Sequence, residues 1–128
     1  YGVGLDMTRR DRQRDARAAM LPWEIGKSFD ESAPCGNLRS TKLCGHLTTG
    51  KISLSVNGVE KQSGDLNQMI WNVAEIIIQL SKQVRLFPGD LIMTGTPSGV
   101  GTLHVGDHIS ARVEGLPELS VTIMPAKT

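Results

Sequence analysis

The sequence predicts an α+β fold, a mixed, largely β-strand roll or sandwich with two main helices. Three observations carry that expectation. Ile52, Leu54 and Val56 alternate with Ser53 and Ser55 and run into Asn57-Gly58, the mark of an antiparallel hairpin with one buried face. Val73, Ile76, Ile77, Leu80 and Val84 recur at spacings of three and four, the apolar stripe of an amphipathic helix over residues 72–85. Short apolar runs bounded by glycine or proline recur at 91–95, 109–113 and 119–123. Together these give about six strands and two helices. A chain of 128 residues is long enough for one domain of ordinary size, residues 1–128.

The elements follow in order. Residues 1–6 read as a strand with Val3 and Leu5 on one face, ending in Asp6. Thr8 followed by Asp11 marks a helix N-terminus, the hydroxyl capping and the carboxylate favoured by the dipole. That helix is expected to run to about Met20 and to stop before Pro22. Residues 23–50 lack periodicity and are broken by Gly26, Pro34, Gly36, Gly45 and Gly50, a winding connection of the kind that often carries function. KISLSV and VEKQ flank Asn57-Gly58, two residues that accept the positive φ angles of a type I′ turn. Pro88-Gly89-Asp90 makes a turn, and LIMTG (91–95) reads as a strand entering the loop TPSGVG. Strands at 109–113 and 119–123, joined through Gly115 and Pro117, complete the chain. There is no internal repeat and no low-complexity tract.

Composition excludes several classes of function. A formal charge of +1 argues against a dedicated nucleic-acid binder, whose footprint is a basic excess. The longest apolar run, 73–80, is broken by Glu75 and Gln79, so no membrane span is expected. No basic n-region leads into an apolar h-region, so a signal peptide is not expected and a cytoplasmic protein is. Cys35 and Cys44 make no disulfide framework and no zinc-ligand spacing, and read as reduced thiols filling small buried spaces. The sequence opens at Tyr1 inside a strand pattern, without an initiator Met, which suggests a fragment or processed form of something longer.

Several residues invite chemistry. A carboxylate at the end of an apolar strand, as at Asp6, is costly to bury unless it is paired or bound to a metal. An ion pair with Arg9 or Arg10, or a helix cap, would serve as well. Gln13 shares a helix face with Arg10 and Arg17, a face open either to an anionic ligand or to water. Arg9, Arg10, Arg12, Arg14 and Arg17 are interleaved with Asp11 and Asp15, the pattern of a solvated helix rather than a nucleic-acid stripe. Lys27, in an irregular segment after Gly26, could neutralise a substrate carboxylate or simply face solvent. TGTPSGVG (94–101) offers backbone N–H groups and hydroxyls at a strand end, without the order of a Walker or dinucleotide loop. It serves equally as a tight crossover. His46, His104 and His108 lack a partner at motif spacing, and exposed turn positions suit the last two.

In this order, GLDMTRRDRQ, LPWEIGKSFDESAP, ISLSVNGVEKQSG, RLFPGDLIMTGTPSGVG and VGDHISARVEGL resemble the C-terminal, catalytic-fold half of the fumarylacetoacetate hydrolase family. The segments cover nearly the whole chain. The combination of D-x-T-x-R-D-x-Q, GK-S/A-FD and PGD-LI-TGTP-GVG is highly specific. The pattern lies nearer the short, single-fold members that act on acylpyruvates than fumarylacetoacetate hydrolase itself.

The resemblance implies a catabolic, metal-dependent hydrolase that cleaves a carbon–carbon bond of a small 2,4-dioxo acid such as fumarylpyruvate. Mg²⁺ (or Mn²⁺) would be held by three carboxylates, one matching Asp6 and two from a Glu-x-Glu motif. A His-Glu pair would activate water. Lys27 would act on the substrate carboxylate or the developing negative charge, as the catalytic residue this chain carries. Gln13, Gly95 and Thr96 would bind substrate. A homodimer or larger homo-oligomer is expected, with no nucleic-acid or membrane partner. Neither Glu-x-Glu nor a His-Glu pair occurs in the sequence, so the resemblance implies a catalytic domain truncated at its N-terminal side. Decarboxylase and isomerase or tautomerase chemistry in the same family uses the same framework. A non-catalytic binding or oligomerising module is the alternative outside it.

Overall fold

In the computed structural model, which describes residues 1–126, the alternation read from the sequence becomes a four-stranded antiparallel sheet. Its strands are β1 (Lys51–Val56), β2 (Val59–Asp65), β3 (His108–Val113) and β4 (Leu119–Thr122), in the order β2-β1-β3-β4. The hairpin turn forms as expected, with φ of 51° at Asn57 and 79° at Gly58. Register decides which side chains meet. Ile52, Leu54 and Val56 lie opposite Val113, Ala111 and Ile109, while Ala111 and Ile109 lie opposite Leu119 and Val121. One face is therefore apolar across all three strands. Val3 and Leu5 lie on that face and join Ile109, Ala111 and Leu119 as the buried core. Ile109 is 1% exposed, and burying a side chain of that size contributes about 1.5–3 kcal/mol.

A side-chain clamp holds the hairpin to the start of β3. Asn57 donates from Nδ2 to Asp107 Oδ1 at 2.8 Å and accepts from the His108 backbone N–H at 2.9 Å. Asp107 also accepts from the His104 N–H at 2.8 Å. On the outward face, His108 lies on β3 rather than in a turn, and its ring meets the Ser120 and Thr122 hydroxyls.

The helices are shorter than the patterns suggested: α1 (Arg10–Ala18), α2 (Glu24–Lys27), α3 (Thr41–Cys44) and α4 (Val73–Ser81). α2 and α3 are single turns within the stretch expected to be irregular. α4 is opened by a reciprocal cap between Asn72 and Glu75 and ends at Ser81, short of residue 85. α1 begins at Arg10 with no side-chain cap from its N-terminal flank, so Thr8 does not cap it.

Two expected strands do not form, and the sheet is antiparallel rather than mixed. Residues 1–5 run antiparallel to 34–39 with one bridge, Gly4 to Cys35. The Leu5 N–H donates to the Pro34 carbonyl and the Gly36 N–H to the Val3 carbonyl, but Pro34 has no N–H to return to Leu5, so the pairing does not run on into a strand. Residues 91–95 pair with no strand, and Leu91 and Met93 are exposed. The loop that follows is held instead against β2. Lys61 is the extra residue of a bulge between the Leu54–Gln62 and Ser55–Glu60 pairs, and a Cβ at Gly99 would collide with its carbonyl oxygen. Cys35 is exposed and Cys44 half-buried, both free thiols, so neither is the buried filler expected. No helix among the described residues is long and apolar enough to cross a membrane.

Candidate active site

Asp6 leaves the core because of where its neighbours point. Leu5 and Met7 are fixed by backbone bonds to the Pro34 and Ser32 carbonyls, each 2.9 Å. Leu5 faces the core, so the next side chain along the extended segment faces away from it. The carboxylate thus emerges on an open cleft of about 550 Å³, with Lys27, Ser28, Asp30, Phe29 and Met93 among its walls.

Lys27 comes from α2, and a glycine brings it there. The Gly26 carbonyl accepts from the Arg9 N–H at 2.9 Å. A Cβ at Gly26 would lie 3.1 Å from the Gln13 nitrogen and 3.2 Å from the Arg9 oxygen, so only glycine lets α2 sit this close to α1. The Lys27 ammonium then reaches Asp6 Oδ2 at 2.6 Å and Thr8 Oγ1 at 3.0 Å. Both members of the ion pair are half-exposed, so the pair fixes geometry more than it adds stability. Phe29 is held at the rim by the Arg9 guanidinium, 4.3 Å from the ring centroid.

The other residues singled out by sequence stand elsewhere. Gln13 accepts from Arg10 Nη1 at 2.9 Å and does not line the cleft. Gly95 has a φ of 114° in the loop after Met93. Thr96 donates to Gln62 Oε1 at 3.1 Å, on the β2 side. That loop is tied to β2, and only Met93 ahead of it reaches the cleft, where it packs on Gly4. His46 pairs with the Tyr1 hydroxyl, and no histidine lines the cleft. Sequence reasoning missed Phe29, Asp30 and Met93 as cleft residues, and Thr8 as a partner of Lys27. Phe29 and Asp30 stand inside the GKSFD stretch, and that proximity to Lys27 was the available signal.

Asp6 offers a hard anionic oxygen of the kind Mg²⁺ and Mn²⁺ accept. Oδ2 is engaged by Lys27, whereas Oδ1 accepts no hydrogen bond among the described residues. No group of three His, Cys, Asp or Glu side chains among those residues is placed to hold a metal. The chain thus fits a divalent ion as the donor of one ligand, and does not form a closed cage.

Comparison with known proteins bears on this arrangement. Residues 1–124 match the family described as fumarylacetoacetate (FAA) hydrolase C-terminal. The chain is 48% identical to a fumarylpyruvate hydrolase of Ralstonia over 99% of its own length and 66% of the relative's. It is 40% identical to an oxaloacetate tautomerase of Escherichia coli, covering 90% of this chain and 53% of that one. The crystal structure of fumarylpyruvate hydrolase from Pseudomonas aeruginosa in complex with Mn²⁺ and pyruvate superposes with a TM-score of 0.94 at 49% identity. That match covers 97% of this chain and 53% of the other. The chain spans about half to two thirds of the length of these relatives.

Proposed function

The chain belongs to the fumarylacetoacetate hydrolase family, and we propose that it carries part of the active site of a divalent-metal-dependent hydrolase of acylpyruvates. The substrate would be a 2,4-dioxo acid such as fumarylpyruvate, cleaved at a carbon–carbon bond. The observation that carries the reading is the Asp6–Lys27 pair on an open cleft, in a chain 48% and 49% identical to two fumarylpyruvate hydrolases.

In this reading Asp6 donates one oxygen to Mg²⁺ or Mn²⁺, and the remaining ligands come from outside the described residues. The ion, when bound, supplies Lewis-acid stabilisation of the oxygen that gains charge as the bond breaks. Lys27 meets the substrate carboxylate or that same oxygen, where a fixed ammonium in a partly desolvated cleft is worth more than in water. Gln13 binds substrate after exchanging its bond to Arg10 for one to the ligand. Gly95 and Thr96 close over a substrate oxygen from the loop. The groups that activate water lie outside the described residues too. A homodimer or larger homo-oligomer is the assembly we propose. The 40% identity to an oxaloacetate tautomerase favours one second reading, isomerisation or decarboxylation of a related 2-oxo acid through the same enolate.

The test is made on the full-length protein. Asp6→Ala should abolish Mn²⁺ binding by calorimetry and lower turnover of fumarylpyruvate by more than about a hundredfold. Undiminished turnover in that variant would overturn the reading. Faster reaction of the wild type with oxaloacetate than with any acylpyruvate would favour the second one.

A further inference from the structure

Thr8 stands where a helix cap was expected, yet no side-chain cap bond is made at the start of α1. Its hydroxyl instead accepts from the Lys27 ammonium at 3.0 Å and lies 3.5 Å from the Asp6 backbone carbonyl, to which it donates. We propose that Thr8 is a positioning residue for Lys27. With Asp6 it holds the ammonium so that the remaining N–H points into the cleft, at the anionic oxygen of the substrate.

Three facts converge on this. An ammonium has three donors, and here two are spent on Asp6 Oδ2 and Thr8 Oγ1. Asp6 and Thr8 are two residues apart on an extended segment, so both side chains leave it on one side and bracket Lys27 Nζ from the same direction. The third donor is left for the cleft that Lys27 lines. A lysine stem is long and flexible, and one contact would not fix the direction of its head group.

The chemistry of Asp6 adds a reason for a second anchor. A carboxylate shared with a divalent ion gives up charge density to it, and its hold on Lys27 weakens. A neutral hydroxyl is untouched by that exchange. Thr8 therefore keeps the ammonium aimed when the metal is present, a role that depends on the reading of the cleft as an acylpyruvate site.

The experiment uses full-length protein with Mn²⁺, and pyruvate as the probe, measured by calorimetry alongside kcat and KM for fumarylpyruvate. Thr8→Val should lose about tenfold in pyruvate affinity and in kcat/KM, the scale of one hydrogen bond to a charged group. Thr8→Ala carries the same expectation. Thr8→Ser should restore both values, because it restores the hydroxyl. In a Lys27→Ala background Thr8→Val should cost nothing further, since it acts through Lys27. Wild-type affinity in Thr8→Val while Lys27→Ala is crippled would overturn this inference alone. So would an equal loss on top of Lys27→Ala, or a Thr8→Ser variant as weak as Thr8→Val. A Lys27→Ala variant that binds and turns over normally would overturn the reading of the cleft, and this inference with it.

Discussion

Asp107 shows how much one side chain can tie together. It accepts from the His104 backbone N–H and from the Asn57 amide, and these two donors hold its carboxyl below the usual Asp range. A carboxyl lowered in the folded state stabilises the fold above its unfolded value and loses that contribution as pH falls through the folded one. Stability should therefore drop as wild-type protein is taken below about pH 4. The Asp107→Asn variant should melt lower at pH 7 and show a flatter dependence over that acid range, read by thermal unfolding. An unchanged acid profile in the variant would contradict the clamp. Glu118, lowered by the Ser110 hydroxyl and the Arg112 guanidinium, adds to the acid slope in the same direction. At this scale the sequence singled out Asp6, from its position after an apolar run, and Lys27, from the motif around it. Their pairing was not legible, since Arg9 or Arg10 was the expected partner of Asp6. Nor was the role of Thr8, because its partner arrives from a single helical turn 19 positions away.

Among the elements, the contact between α1 and α2 sets the cleft, and it is a backbone contact. Gly26→Ala should push α2 off α1 by a few tenths of an ångström, since the nearest atoms are main-chain atoms of Arg9 and Gln13. Overpacking of this kind costs about 1–3 kcal/mol. The expected result is a lower Tm together with a longer Lys27–Asp6 distance in a crystal structure of the variant. An unchanged Tm would show that α2 docks more loosely than drawn. Elements with local signals could be read in advance. Asn57-Gly58 announced its hairpin and the apolar spacing from Val73 announced α4, whose reciprocal cap of Asn72 with Glu75 was not read. Residues 1–6 and 91–95 have the composition of strands, yet whether a strand forms depends on a partner edge. Pro34 withholds the return bond to Leu5 in one pairing, and β2 takes up the loop after the other. No local pattern encodes either outcome.

For the whole molecule, the apolar surface is large. α4 has no buried residue, and Ile77 and Ile78 on it and Trp71 just before it are exposed. Apolar patches of this kind mark surfaces that another chain or segment covers. The polypeptide of residues 1–128 should associate reversibly as concentration rises, seen by sedimentation velocity. Ile78→Glu should weaken that association while leaving the sheet's circular dichroism intact. A monomer at every concentration would assign the patch no partner of its own kind.

The cleft and the sheet also close on different lengths of chain. Lys27 meets Asp6 across 21 positions, whereas the Asn57–Asp107 clamp spans 50. Closing the longer loop costs more chain entropy, although the penalty grows only slowly with length, and contacts far apart in sequence slow folding. The residues of the ion pair and its glycine-docked turn all lie in the first third of the described chain, whereas β3 and β4, which bury Leu5 and so aim Asp6, come last. A growing polypeptide would hold both partners of the pair well before the core that orients them is sealed.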